Sequence, residues 1–567
     1  VEYRVWAPAA RRVEVEVDGS GHPLRAAEGG WWQGEAPAGR YGFRLDGGPA
    51  LPDPRSARQP DGPDGPSLPV DHAAFRWSEV PWHGRPLAGS VVYELHIGTF
   101  TPAGTFAAAE QHLDHLVALG VDFVELMPVC PFPGVHGWGY DGVAPWAVHE
   151  PYGGPEGLKR FVDAAHRKGL GVILDVVHNH LGPSGNHLPA YGPYFTERHH
   201  TPWGAAVNLD APGSDEVRAY FRQSALAWLR DYRVDGLRLD AVHALVDDRA
   251  VHFLEELAIA VDELAVSLGR PLFLVAESDL NAPRITDPRQ AGGHGLAAQW
   301  SDDFHHALHT AVTGETQGYY ADFGRAPLAA LARVLTRGWF HDGTWSAFRG
   351  RHHGRPFATA YGHRLLGYAQ THDQIGNRAV GDRLSAGQLA LTAALVFCSP
   401  FTPMLFMGEE WGASTPWQYF TDHTDPELAE AVRQGRRREF TAHGWAAEQV
   451  PDPQARATVL ASTLDWAEPR SGEHAELLQW YRQLIRLRKA SPELCDPDLR
   501  RVRVDFDEAA GWFTLHRGKF AVTVNFGEKE AEVLSGAPVL SWGTVSGTRL
   551  GPRSCVITAA GNPPAFP

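Results

Sequence analysis

The chain has 567 residues, a net charge of −16, and 43% apolar and 21% charged residues; this is the composition of a soluble globular protein with a large core, not of a disordered or collagenous chain. The acidic balance opposes binding to phosphate backbones or anionic lipid, so neither nucleic acid nor membrane is an expected partner, and no apolar run is long enough to span a bilayer. Four widely spaced cysteines (Cys130, Cys398, Cys495 and Cys555) lack C-x-x-C spacing, which argues against a disulfide framework or a zinc site and for a reducing, cytoplasmic setting.

Residues 1–45 alternate apolar and polar positions, with Val5, Val13, Val15 and Val17 among charges. The opening VEYRVWAPAA is not a signal-peptide pattern. Short alternating runs broken by Gly and Pro predict an antiparallel β-sandwich. Residues 46–70 are dense in Pro, Gly and Asp and predict a linker or a loop lying on the surface. From residue 90 the pattern changes to short apolar runs alternating with amphipathic helices. Strands are predicted at 91–97, 121–129, 171–177, 236–242, 272–278, 296–300, 365–371 and 402–407. Continuous apolar runs suit strands buried on both faces, and eight of them alternating with helices predict a closed (β/α)8 TIM barrel. In the helices, Leu158, Phe161, Val162 and Ala165 recur at helical spacing, and Gly120 and Gly169 stand where helices end. A loop insertion near 181–213 interrupts the alternation, and loops of that length are usually functional. Alternation returns after about residue 497. The expected organisation is an N-terminal β-sandwich over 1–85, the catalytic barrel over 86–490 and a C-terminal antiparallel β-sandwich over 491–567.

Barrel enzymes place their chemistry at the C-terminal ends of the strands. Strand four ends in Arg238-Leu239-Asp240, strand five in Ala276-Glu277-Ser278-Asp279 and strand seven in His372-Asp373-Gln374; strand three adds Asp175, Asn179 and His180. Arg238 and Asp240 are two apart and leave one face of the strand, where a guanidinium would hold the carboxylate ionised. Glu277 follows the apolar run LFLVA, a setting that raises a carboxyl pKa and suits a general acid. Hydrolysis of a glycosidic bond needs such a pair: an acid for the leaving oxygen and a carboxylate for the anomeric carbon. Each cluster alone reads equally as an ion pair or a satisfied histidine; three at predicted strand ends favour catalysis. A metal set of Asp175, His178, His180 and His372 ranks low because no second compact ligand group accompanies it.

The four strings DVVHNH (175–180), GLRLDAVHA (236–244), VAESDL (275–280) and THDQIGNR (371–378) together resemble the motif regions of the α-amylase superfamily of glycoside hydrolases. The resemblance covers roughly residues 90–490, and the flanking β domains fit it. It implies Asp240 as nucleophile, Glu277 as general acid and then base, and Asp373 as the third carboxylate. It implies that Arg238 orients Asp240, that His180 and His372 contact the sugar left of the cut, and that Tyr140 stacks under that ring. VAESDLNAPR (275–284), QTHDQIGNRAVGDRL (370–384) and GEEWGASTPWQYFTDH (408–423) further resemble the maltooligosyltrehalose trehalohydrolases, which cut the α-1,4 bond next to a trehalose terminus. That implies a maltooligosyl trehalose substrate made by a separate synthase, a monomer, and no cofactor. Candidates for substrate contacts past the cut are His243, Asp279, Asn281, Trp300, Asp302, Gln374 and the loop around Trp417-Gln418-Tyr419. The insertion lacks a clustered set of acidic ligands, so no calcium or other metal is expected. The alternative is a 1,4-α-glucan branching enzyme, which would pass the intermediate to a sugar hydroxyl; Gln374, where those enzymes usually place Glu, weighs against it. An α-1,6-debranching enzyme ranks third. A catalytically dead glycan binder would have lost one of the three carboxylates, and all are present.

Overall fold

Alternation decides the N-terminal part. Glu2–Trp6 pairs antiparallel with Trp31–Glu35, which also pairs with Arg25–Ala26. The second sheet runs in the order Ser20–Pro23, Val13–Val17, Tyr41–Leu45, Ala50–Leu51. Val13, Val15 and Val17 point inward and meet Tyr3, Val5 and Phe43 in one apolar cluster. Our computed structural model describes residues 1–441, 446–533 and 536–560; residues 561–567 of the expected C-terminal unit lie outside them.

The Pro-rich stretch 46–70 lies on the surface as predicted but is pinned there. Its Ser67 bridges to Tyr41 and its Arg58 to Val148, and Arg58 Nε donates to Glu150 at 3.1 Å. Side-chain bonds among Gln59, Ser67 and nearby carbonyls satisfy a loop without regular structure.

All eight predicted strands close into one parallel barrel. In chain order they are Val92–Leu95, Phe123–Leu126, Gly171–Val176, Gly236–Leu239, Phe273–Ala276, Ala298–Trp300, Leu365–Gly367 and Thr402–Phe406. The last pairs with the first, Met404 opposite Val92, and closes the ring. The interior is a packed core of Val92, Phe123, Ile173, Phe273, Val275, Trp300, Leu366, Tyr368 and Met404. Gly171 and Gly236 open the third and fourth strands because Phe123 and Phe273 lie where a Cβ would go. Gly120 caps the helix Leu113–Leu119 with φ 96°. The helix Gly154–Arg167 ends two residues before its glycine: Lys168 is the cap and Gly169 follows with φ 77°.

Strand seven is shorter than predicted. It ends at Gly367, and His372 and Asp373 lie on a separate helical turn, His372–Gly376. Residues 368–371 leave the sheet because their side chains are used sideways: Tyr368 donates to Asp302 and Gln370 accepts from the Leu384 N–H. The insertion after strand three is a hairpin, Phe195–Thr201 with Gly204–Val207. A second hairpin, Thr344–Ser346 with Arg351–His353, lies between strands six and seven and was not foreseen. The C-terminal strands form antiparallel sheets of five and three strands. Among the described residues no helix is long and apolar enough to cross a membrane.

Candidate active site

Asp240 is the first residue beyond strand four and Glu277 the first beyond strand five. The two strand ends are tied by their backbones: the Glu277 N–H donates to the Leu239 carbonyl at 2.9 Å and the Val242 N–H to the Glu277 carbonyl at 3.1 Å. Between them the chain turns through Ala241 at φ 36°, a left-handed conformation rare outside glycine. That turn aims the Ala241 N–H at Glu277 Oε2, 2.6 Å away.

Arg238 organises the acids around it. Its Nη1 donates to both oxygens of Asp175 (3.0 and 2.8 Å) and to Asp240 Oδ1 (2.8 Å), while Nη2 lies 3.9 Å from Glu277 Oε2. The Asn179 amide donates to Asp240 Oδ2 at 2.7 Å. Asp240 is thus fixed by hydrogen bonds on both oxygens, one of them from a guanidinium. Burial disfavours the Arg238 charge, but Asp175, Tyr140, Asp240 and Glu277 outweigh it and raise its pKa. Burial pushes Glu277 well above the usual carboxylate range; Arg238 opposes this, and Asp240, Asp302 and Asp373 add to it. The raised pKa favours the neutral acid form of Glu277, beside Asp240 on the neighbouring strand end. Asp373 is exposed at the mouth, its Oδ1 accepting from Asn377 at 2.7 Å.

A wall of rings and amides surrounds the three carboxyls. Tyr140 donates to Asp175 at 2.6 Å and stacks on His372 at 5.1 Å. His180 spans Asn179 Oδ1 (2.5 Å) and the Tyr140 carbonyl (3.0 Å). Gln374 donates to Asp302 at 3.4 Å, and burial pushes Asp302 up to about 7 against the pull of the Tyr368 bond. Asp279 accepts from Arg349 of the unforeseen hairpin at 2.9 Å, which outweighs its burial and lowers its pKa. His243 is exposed on the turn Val242–Ala244 beside it.

Three of the candidate contacts are engaged by the scaffold. Trp300 is 3% exposed with the Arg238 guanidinium over its ring at 4.4 Å, so its face is taken. Asn281, at φ 50°, gives both amide protons away, to Asp303 at 2.8 Å and to the His341 carbonyl at 3.0 Å. Trp417 is likewise buried, stacked on Trp138 and donating to the His372 carbonyl at 2.9 Å. Two side chains that the motifs do not contain join the site: Glu94, bonded to His372, and Trp203 of the insertion, 48% exposed and stacked flat on His180 at 4.4 Å.

Among the described residues Asp175, His178, His180 and His372 are not brought together as a compact ligand group; His178 is a buried histidine pushed down to about 4 by burial, and His372 is engaged by Glu94. Among the described residues one compact group of possible ligands forms, from two residues of the insertion and one outside it. His199 and Asp210 meet Asp248, whose place beyond strand four hides it from local spacing. Arg198 lies against both carboxylates, at 4.0 and 3.3 Å, and balances their charge.

The alpha-amylase catalytic-domain family matches residues 82–189, and a domain of unknown function (DUF3459) matches residues 497–557. The chain is 57% identical to the malto-oligosyltrehalose trehalohydrolase of Arthrobacter ramosus, over 92% of each chain. It is 55% identical to that of Rhizobium sp. (strain M-11), over 93% of this chain and 91% of the relative. A crystal structure of a putative alpha amylase from Salmonella typhimurium is 37% identical and superposes with a TM-score of 0.92, covering 99% of this chain and 97% of the other. A 1,4-alpha-glucan branching enzyme of Xanthomonas campestris is more distant, at 29% identity over 74% of this chain and 61% of its own. With the barrel and the carboxyl cluster at its strand ends, these likenesses show that the chain belongs to the malto-oligosyltrehalose trehalohydrolase family, whose catalytic domain is of the alpha-amylase kind.

Proposed function

We propose that the protein is a retaining glycoside hydrolase that cuts the α-1,4-glucosidic bond next to the trehalose end of maltooligosyl trehalose, releasing trehalose and a maltooligosaccharide. Identity of 55–57% to trehalohydrolases across nine-tenths of both chains carries this reading. The branching enzyme is a much weaker match and is not favoured.

The geometry supports the following steps. Asp240, oriented by Arg238 and Asn179, attacks the anomeric carbon and forms a covalent glycosyl-enzyme. Glu277, protonated by virtue of burial and its acidic neighbours, gives its proton to the leaving oxygen, and the trehalose unit departs. Glu277 then takes a proton from water, which attacks the same carbon and frees Asp240. Asp373 at the mouth holds sugar hydroxyls. Tyr140, His180 and His372 bind the ring left of the cut, and Arg238 orients the nucleophile.

On the trehalose side, His243, Asp279, Asp302 and Gln374 are our candidates for direct contact, with Asn281 and Trp300 acting from behind the surface. Division into 1–85, 86–490 and 491–567 is the reading that the sheets support. We take it to be a monomer fed by a synthase that builds the trehalose terminus; a cytoplasmic setting fits four unpaired cysteines, three of them buried. Product analysis on trehalose-ended and plain maltooligosaccharides tests the whole.

A further inference from the structure

Glu94 sits in the first barrel strand, 1% exposed, facing the barrel interior beneath the site. One of its oxygens takes the Nδ1 proton of His372; the other accepts the His372 backbone N–H at 3.1 Å. The carboxylate therefore grips both the ring and the helical turn that carries Asp373. The ring is also fixed from the sides. Tyr140 stacks on it, the Trp138 edge meets it at 5.7 Å, and Trp300 lies at 5.9 Å. Among the described residues, no protein group is hydrogen-bonded to His372 Nε2.

We propose that Glu94 is a positioning residue that holds His372 as an imidazolium, so that Nε2 presents a proton to the sugar left of the cut. The proposal rests on the glycoside-hydrolase reading of the site. A neutral ring bonded to Glu94 through Nδ1–H would offer only a lone pair at Nε2; the charged ring offers a donor. Glu94 thus decides the sense of the hydrogen bond as well as its direction.

The groups around the pair leave this charge to His372. Arg238 is already shared by Asp175 and Asp240. Asp373, on the same turn and exposed, also favours the charge, and Asp175 interacts with the ring. His96, on the same side, is pushed down to about 3 by burial and is neutral, donating to the Gly137 carbonyl. Glu125 faces Glu94 in register on strand two. It is fully buried with neither oxygen bonded, and burial with Glu94 beside it pushes its pKa well up, which favours its neutral form. His372 itself loses by burial, but Glu94 outweighs that and raises its pKa.

The test uses the full-length enzyme with Glu94→Gln, Glu94→Asp and Glu125→Gln. Glu94→Gln should lower kcat/KM about tenfold or more and move the alkaline limb of its pH profile downward. Glu94→Asp should restore part of both, and Glu125→Gln should leave the profile in place. Independently of turnover, labelled-histidine NMR, with the His372 signal identified by its loss in His372→Gln, should find that ring charged at about pH 7 in the wild type and neutral in Glu94→Gln. A neutral His372 in the wild type would overturn the proposal even where Glu94→Gln fails to fold. So would a Glu94→Gln enzyme with an unmoved pH profile. Failure of the hydrolase reading would show separately, as absence of trehalose among wild-type products.

Discussion

Ala241 and Glu277 are joined by a 2.6 Å hydrogen bond from a backbone N–H to a carboxyl oxygen, and the donor is held at φ 36°. The strained turn puts the acid beside Asp240. Strain of this kind costs about 1–3 kcal/mol and persists only where the surroundings impose it. Ala241→Gly should therefore keep turnover with an unchanged or higher Tm. Ala241→Val, β-branched and ill-suited to a left-handed turn, should lower both kcat and Tm. Steady-state kinetics and a thermal melt of the two variants check this.

Asp240→Asn removes the nucleophile while keeping its size. Turnover should fall more than about 1,000-fold, and calorimetric titration should still find substrate binding. Near-normal kcat in this variant would remove Asp240 from the role.

Glu277→Gln should lose about 100- to 10,000-fold on natural glucans. The loss should be much smaller on a maltooligosyl fluoride, whose leaving group needs little protonation. Equal losses on the two substrates would show that Glu277 is not the proton donor.

The pH dependence follows from the direction of the Glu277 shift. Its pKa is raised, so the active, protonated form persists to higher pH than in an ordinary carboxyl and is lost as pH rises through that pKa. Asp302 contributes to the raising. Asp302→Asn should therefore move the alkaline limb of kcat/KM to lower pH. A limb that stays in place would mean that the two carboxyls do not interact.

Much of the scaffold was legible because parallel strands buried on both faces read as apolar runs, and the strand ends expose Asp240 and Glu277 just after them. Asp373 was found by motif, but its placement was read too simply: Tyr368 and Gln370 are spent on side-chain bonds, and the chain leaves the sheet before reaching it. Glu94 and Glu125 were overlooked although each stands inside a run of otherwise apolar strand residues, VYEL and FVEL. An acid there has to be paired or neutral, and that signal was available. Arg349 and Asp248 could not be placed from local spacing, because Asp279 and the His199–Asp210 pair reach them across different barrel loops. Trp300 was a candidate substrate contact by position alone; the guanidinium lying over its ring shows that this face is occupied.

The most direct measurement is to incubate the purified protein with maltooligosyl trehalose and, separately, with a plain maltooligosaccharide of similar length, and to separate the products by chromatography. Free trehalose together with much slower cleavage of the plain chain is the predicted result. Absence of trehalose, with general glucan cleavage or new α-1,6 branches in its place, would contradict it.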